Sequence, residues 1–263
     1  MLPSQEFFKN YAKTNGIPWQ ERSILTEYLQ VMTLKCLSQS TYRNRISFLG
    51  GTALRLGWGL PRFSEDLDFN LLEKEKFDIE ILKDELLKRL ELLDFKVDVR
   101  VKKTENIFII FLRFSEVLRP FGFSVPKNQK ILLKFEIDYD PPKTIQTEAR
   151  ILSGYGESFP LIFNTLETIY AQKITALMYR PYQKSRDIYD TRWFAFQKNL
   201  EPNYKLLDEK KIRVNNKSEL ISVIRKRLVK MDLKQASIDV RRFLFDPREA
   251  EWIKDLPKYL NSA

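Results

Sequence analysis

Residues 48–70 read FLGGTALRLGWGLPRFSEDLDFN, and this stretch decides the fold. Ile46 to Leu49 is a short apolar run cut off by Gly50-Gly51, and Thr52 to Leu56 resumes with helix-forming residues, which predicts strand, tight turn, helix. After a turn through Gly57 to Arg62, Leu67 to Leu72 reads as a second strand. Alternate residues of a strand share a face, so Asp66 and Asp68 point together while Leu67 and Phe69 point into a core. Two adjacent carboxylates repel unless a cation lies between them. Their all-oxygen ligation suits magnesium or manganese, which in turn holds nucleotide phosphates. Gly50 and Gly51 let a backbone approach phosphate closely, the helix beginning there offers N–H groups, and Thr52 adds a hydroxyl donor. Arg55 and Arg62 flank the region, placed either to meet phosphate charge or to pair with Glu65. A bare D-x-D is a weak signal; Gly50-Gly51-Thr52, whose threonine lies fourteen residues ahead of Asp66, strengthens it.

Outward from this stretch, Pro18 to Ser40 carries apolar residues at helical spacing and predicts an N-terminal helical cap. Ile79, Leu82, Leu86, Leu90 and Leu93 fall on one helical face. Val97, Val99 and Val101 alternate with charged residues, Ile107 to Phe114 is a more buried run, and Lys130 to Asp140 and Thr144 to Leu152 complete the strands. From Leu166 onward the pattern is helical: Leu166 to Arg180, Asp187 to Phe196, Ser218 to Met231 and Gln235 to Leu244. The expectation is an α+β fold, with a mixed-sheet core over residues 1–160 and a helical module over 161–263, the boundary falling near Ser158 to Thr165.

Composition narrows the chemistry. The chain of 263 residues has no histidine, which removes histidine-based triads, histidine general bases and the commonest zinc ligand. Cys36 is the only cysteine, so neither an intrachain disulfide nor a thiolate zinc cluster forms, and a cytoplasmic setting fits. MLPSQEFFKN lacks the features of a secretory signal, and the longest apolar run, Ile107 to Leu112, is too short to span a bilayer. Lys and Arg outnumber Asp and Glu by 45 to 35, a surface that attracts nucleic acid or nucleotide phosphates.

Three further features point to a site. On the strand through Lys134-Phe135-Glu136-Ile137-Asp138, the residues Lys134, Glu136 and Asp138 share one face, so either Glu136 or Asp138 can supply a third carboxylate and act as general base. Lys173 lies on the apolar stripe set by Leu166, Ile169 and Leu177, and an inward ammonium needs an anion. That anion is Asp187 or Asp190 on the next helix, or a nucleotide phosphate. Basic runs at Lys210-Lys211-Ile212-Arg213, Arg225-Lys226-Arg227 and Arg241-Arg242 can track an RNA backbone or form solvated helix faces.

Taken together, Phe48 to Arg55, Arg62-Phe63-Ser64-Glu65-Asp66-Leu67-Asp68-Phe69, Ala171-Gln172-Lys173-Ile174-Thr175-Ala176-Leu177 and Arg186-Asp187-Ile188-Tyr189-Asp190 closely resemble the AbiEii/AbiGii toxin family. The resemblance runs from the N-terminal helix to about Phe194. It implies a DNA polymerase β-like nucleotidyltransferase core with a helical C-terminal part. It also implies a toxin of a toxin-antitoxin or phage-defence system that transfers nucleotides from an NTP to RNA, at the 3′ end of tRNA, with a cognate antitoxin as partner. By this likeness Asp66 and Asp68 bind Mg2+ (or Mn2+), and Glu136, with Asp138 as the alternative, completes the metal site. Gly50, Gly51 and Thr52 with Arg55, Arg62 and Ser64 sit at the nucleotide. Lys173 holds phosphate, and Asp187 and Asp190 form the last acidic motif. The rival readings are a catalytically idle RNA- or protein-binding member of the same fold, and a phosphatase using the first Asp of D-x-D as nucleophile.

Overall fold

The computed structural model describes residues 2–118, 129–197 and 200–260. The chain divides into two units, one of residues 1–59, 63–141 and 149–163 and one of residues 60–62, 142–148 and 164–263.

The first unit carries a seven-stranded mixed sheet in the order β3-β4-β5-β2-β1-β7-β6. Its strands are β1 (Ile46–Leu49), β2 (Leu67–Leu71), β3 (Lys96–Lys103), β4 (Ile107–Ser115), β5 (Ile131–Asp138), β6 (Thr147–Gly154) and β7 (Glu157–Asn164). β1 runs antiparallel to β2, whereas β2 and β5 are parallel. An aromatic ladder crosses the middle of the sheet: Phe163 meets Phe48 at 5.3 Å, Phe48 stacks on Phe69 at 5.2 Å, and Phe69 stacks on Phe135 at 4.2 Å. All four rings are buried, so the core face of β7, β1, β2 and β5 is fixed by one residue from each strand. The period of two then sends the neighbours Asp68 and Glu136 to the other face.

Helices α1 (Gln5–Thr14), α2 (Glu21–Ser38), α3 (Gly50–Trp58) and α4 (Ile79–Leu92) belong to the same unit. α4 buries Ile79, Leu82, Leu86 and Leu90 of the stripe its spacing predicts, while Leu93 caps its C-terminal end and is only half-buried. α2 is buried on nearly all sides, including Glu27, Gln30 and Thr33. Helix α1 goes beyond the expected cap. Ser4 caps it by accepting from the Phe7 amide at 3.2 Å, and Phe8 packs edge-on against Tyr28 at 5.1 Å. Strand β7 is a second addition, placed where a domain boundary was expected. It follows β6 through Tyr155-Gly156, both at positive φ, the conformation of a two-residue hairpin turn. Pro160 argues against a strand in the sequence, yet β7 meets β1 at the pair Phe48–Phe163, past the proline.

The second unit is helical: α5 (Leu166–Tyr179), α6 (Ser185–Ala195), α7 (Tyr204–Glu209), α8 (Lys217–Leu228) and α9 (Leu233–Val240), followed by a 3-10 turn at Arg241–Phe243. Thr165 caps α5 through the Thr168 amide at 3.3 Å. Tyr170 of α5 stacks on Phe194 of α6 at 4.4 Å inside this unit's core. The helix expected over Gln235 to Leu244 ends earlier, at Val240, and α7 has too few residues to show a period.

Candidate active site

The site in the first unit is built where β1 gives way to α3. Gly50 has φ +81, and a Cβ placed there would lie 2.1 Å from Oδ2 of Asp68. The glycine is therefore required twice, by its backbone and by the carboxylate packed against it. Register explains the proximity, since Leu49 at the end of β1 pairs with Asp68 of β2. On the other side of β2, Asp68 pairs with Glu136 of β5, and Asn70 with Asp138. Neighbouring strands are about 4.8 Å apart, so the sheet sets Asp68 and Glu136 side by side in one cross-strand row. Asp66, Asp68, Glu136 and Asp138 are each half-buried, whereas the intervening Leu67 and Ile137, and Phe135 ahead of Glu136, are fully buried. Of the two candidates for the third carboxylate, Glu136 is the register partner of Asp68, and Asp138 lies one pair further along.

Hard oxygen donors suit a divalent cation such as magnesium in their chemistry. Among the described residues, no three or more Asp, Glu, Cys or His side chains are grouped so as to hold a metal ion.

Thr52 differs from the expectation. It is fully buried, and its hydroxyl donates to the Asp66 carbonyl at 2.5 Å instead of facing outward. It thereby ties the segment entering β2 to the first turn of α3. The Ser64 carbonyl in the same segment accepts from the Gln30 amide at 3.0 Å. The Arg55 guanidinium makes two bonds to the Glu27 carboxylate, at 2.9 and 3.3 Å. Glu27 in turn accepts from the Tyr155 hydroxyl at 3.0 Å. Glu27 and Gln30 escape sequence reading because α2 has no solvent face against which a buried polar residue would stand out.

In the second unit, Arg62 and Asp190 form a fork of two 2.7 Å bonds, with side chains 1% and 0% exposed. Both were expected at the nucleotide; instead they neutralise each other inside this unit's core. Lys173 adds to the same cluster at 2.7 Å from Asp190 and 3.2 Å from Asp187, and Arg180 also binds Asp187. Of the alternatives for Lys173, the carboxylates of α6 are the partners present. Burial alone would raise Asp190, yet Arg62 and Lys173 outweigh it and hold the carboxyl down at about 2. Burial opposes the charge on Lys173 as well, and Asp190 and Asp187 overcome it, so the ammonium is held above its ordinary value.

Of the basic runs, Arg227 donates to the carbonyls of Leu177 and Arg180 at 2.9 and 3.4 Å, capping the C-terminal end of α5, and Arg241 pairs with Glu251. Arg225, Lys226, Lys211 and Arg213 stay at the surface.

Two solved structures share this architecture. Helicobacter pylori JHP933 superposes with a TM-score of 0.52 at 22% identity, covering 92% of this chain and 97% of that one. A candidate nucleotidyltransferase from H. pylori gives a TM-score of 0.52 at 21% identity over 92% and 98%. At such identities the likeness is one of fold. No curated protein sequence matches the chain. No helix among the described residues is long and apolar enough to cross a membrane. The model of the family described as nucleotidyl transferase AbiEii toxin, type IV TA system, matches residues 33–259, extending well past the last motif at Asp190. The alternating carboxylates behind a diglycine turn are thus found in a chain that belongs to the AbiEii nucleotidyl transferase toxin family of type IV toxin–antitoxin systems.

Proposed function

We propose that this protein transfers a nucleoside monophosphate from an NTP to an acceptor hydroxyl on RNA, at the 3′ end of tRNA, on a polymerase β-like core. The observation that carries the reading is the row formed by Asp68 and Glu136 on parallel strands, with Gly50 cleared to accommodate the Asp68 carboxylate. Asp66, Asp68 and Glu136 would hold Mg2+ (or Mn2+), which when bound neutralises phosphate charge and makes the acceptor hydroxyl more acidic. Gly50 and Gly51 let the first amides of α3, which no side chain caps, approach the triphosphate. Glu136 takes the proton of the acceptor hydroxyl as its oxygen bonds to the α-phosphorus and the bond to pyrophosphate breaks. Thr52 positions Asp66 through its carbonyl. Within the second unit, Asp190 and Asp187 keep Lys173 protonated.

A toxin–antitoxin family implies a cognate antitoxin, and phage defence in the cytoplasm is the setting that fits. Purified protein, magnesium, total cellular RNA and each labelled NTP in turn, resolved on a denaturing gel, test the acceptor. A discrete labelled band of tRNA size, absent with Asp66→Ala, is the expected result. Label on no RNA with any of the four nucleotides contradicts an RNA acceptor.

A further inference from the structure

At the start of α6, Lys184, Ser185 and Arg186 line a cavity of about 430 Å³ whose other wall includes Asp239, Arg242 and Phe243, all within the second unit. Three cations face one carboxylate, and Asp239 already accepts from the Gln235 amide at 2.8 Å. Both guanidinium groups rest on the Phe243 ring, Arg186 at 4.6 Å and Arg242 at 4.7 Å from its centroid, which restrains their heads beside the cavity. α6 begins at the same wall with Lys184 as its N-cap and no side chain accepting from its first amides, so the positive end of the helix adds to the field. Burial, then Arg186, lowers the hold of Lys184 on its proton, with Asp187 opposing. Cations gathered in a recess repel one another, and an anion with several charged oxygens relieves the repulsion.

We propose that this cavity is a binding site for a phosphorylated ligand, a run of phosphates carried by a nucleotide or by a single nucleic-acid strand. Its volume lies within the roughly 300–1,000 Å³ of small-molecule sites and exceeds what one phosphate needs. Paired planar guanidiniums match phosphate oxygens two at a time. The site stands whether or not the carboxylates of β2 and β5 transfer nucleotides.

The test is calorimetric titration of the full-length protein with tripolyphosphate in EDTA, which keeps metal-bound nucleotide from the carboxylates. Saturable binding is expected, weakened at least about tenfold in Arg242→Glu and in Lys184→Ala. Arg242 is exposed, so R242E reads the site even where the lysine variant misfolds. ATP and a 5′-hydroxyl oligoribonucleotide then separate the sources: whichever loses affinity in R242E is the ligand type. No binding of tripolyphosphate, equal binding by both variants and wild type, or indifference of both ATP and oligonucleotide to R242E overturns the proposal.

Discussion

Gly50 combines a left-handed backbone with an Asp68 oxygen lying 2.1 Å from where a Cβ would be. Gly50→Ala is expected to destabilise the protein by roughly 1–3 kcal/mol from the backbone alone and to displace the Asp68 carboxylate. Thermal unfolding should show a lower midpoint, and nucleotide transfer should fall further than the unfolded fraction explains. Asp190 makes the opposite kind of contribution, since its charge is needed by Arg62 and Lys173. Asp190→Asn leaves both cations without that anion and should cost about 3–5 kcal/mol. The folded carboxyl titrates at about 2 against an ordinary 3.8, so its stabilisation is full above the ordinary value and fades as pH falls toward 2. Urea unfolding of wild type against Asp190→Asn between those values should converge as pH drops; parallel curves would contradict the ion-pair account. The Gly50 turn is legible in sequence because a turn is a local property, whereas Asp66 precedes β2 and the strand period does not reach it. The partner of Arg62 is not legible, because it lies 128 residues away.

Elements decide how well these side chains are held. Thr52 Oγ1 joins the first turn of α3 to the Asp66 carbonyl. Thr52→Val keeps the shape and removes the donor, so a stability loss of about 1–3 kcal/mol is expected, with Thr52→Ser close to wild type. Transfer activity should follow the same order, Thr then Ser then Val; full activity in the valine variant would show that this bond does not position Asp66. α4, β4, β5 and α5 are all readable from hydrophobic period, because each buries one face against the rest of its own unit. β7 and α2 are harder for physical reasons. A proline masks the first, and in the second burial on every side leaves no contrast between faces.

Over the whole molecule, an α+β unit carries the carboxylates and a helical unit carries the Arg62–Asp190–Lys173 cluster, each with its own core. The excess of 45 basic over 35 acidic residues suits a polyanionic substrate without locating it. The division into sheet and helices can be read from the sequence. That the second unit also takes residues 60–62 and 142–148 cannot, because these short segments carry no period of their own. The central claim is that Asp68 serves chemistry rather than folding. Pyrophosphate release, measured with wild type and Asp68→Ala in magnesium with RNA and each NTP, tests it most directly, with circular dichroism confirming matched folds. Release by wild type with at least one NTP, and its loss by a factor of at least about a hundred in the folded variant, is the expected result. Equal release by the two proteins, or none from wild type with any nucleotide, would contradict it.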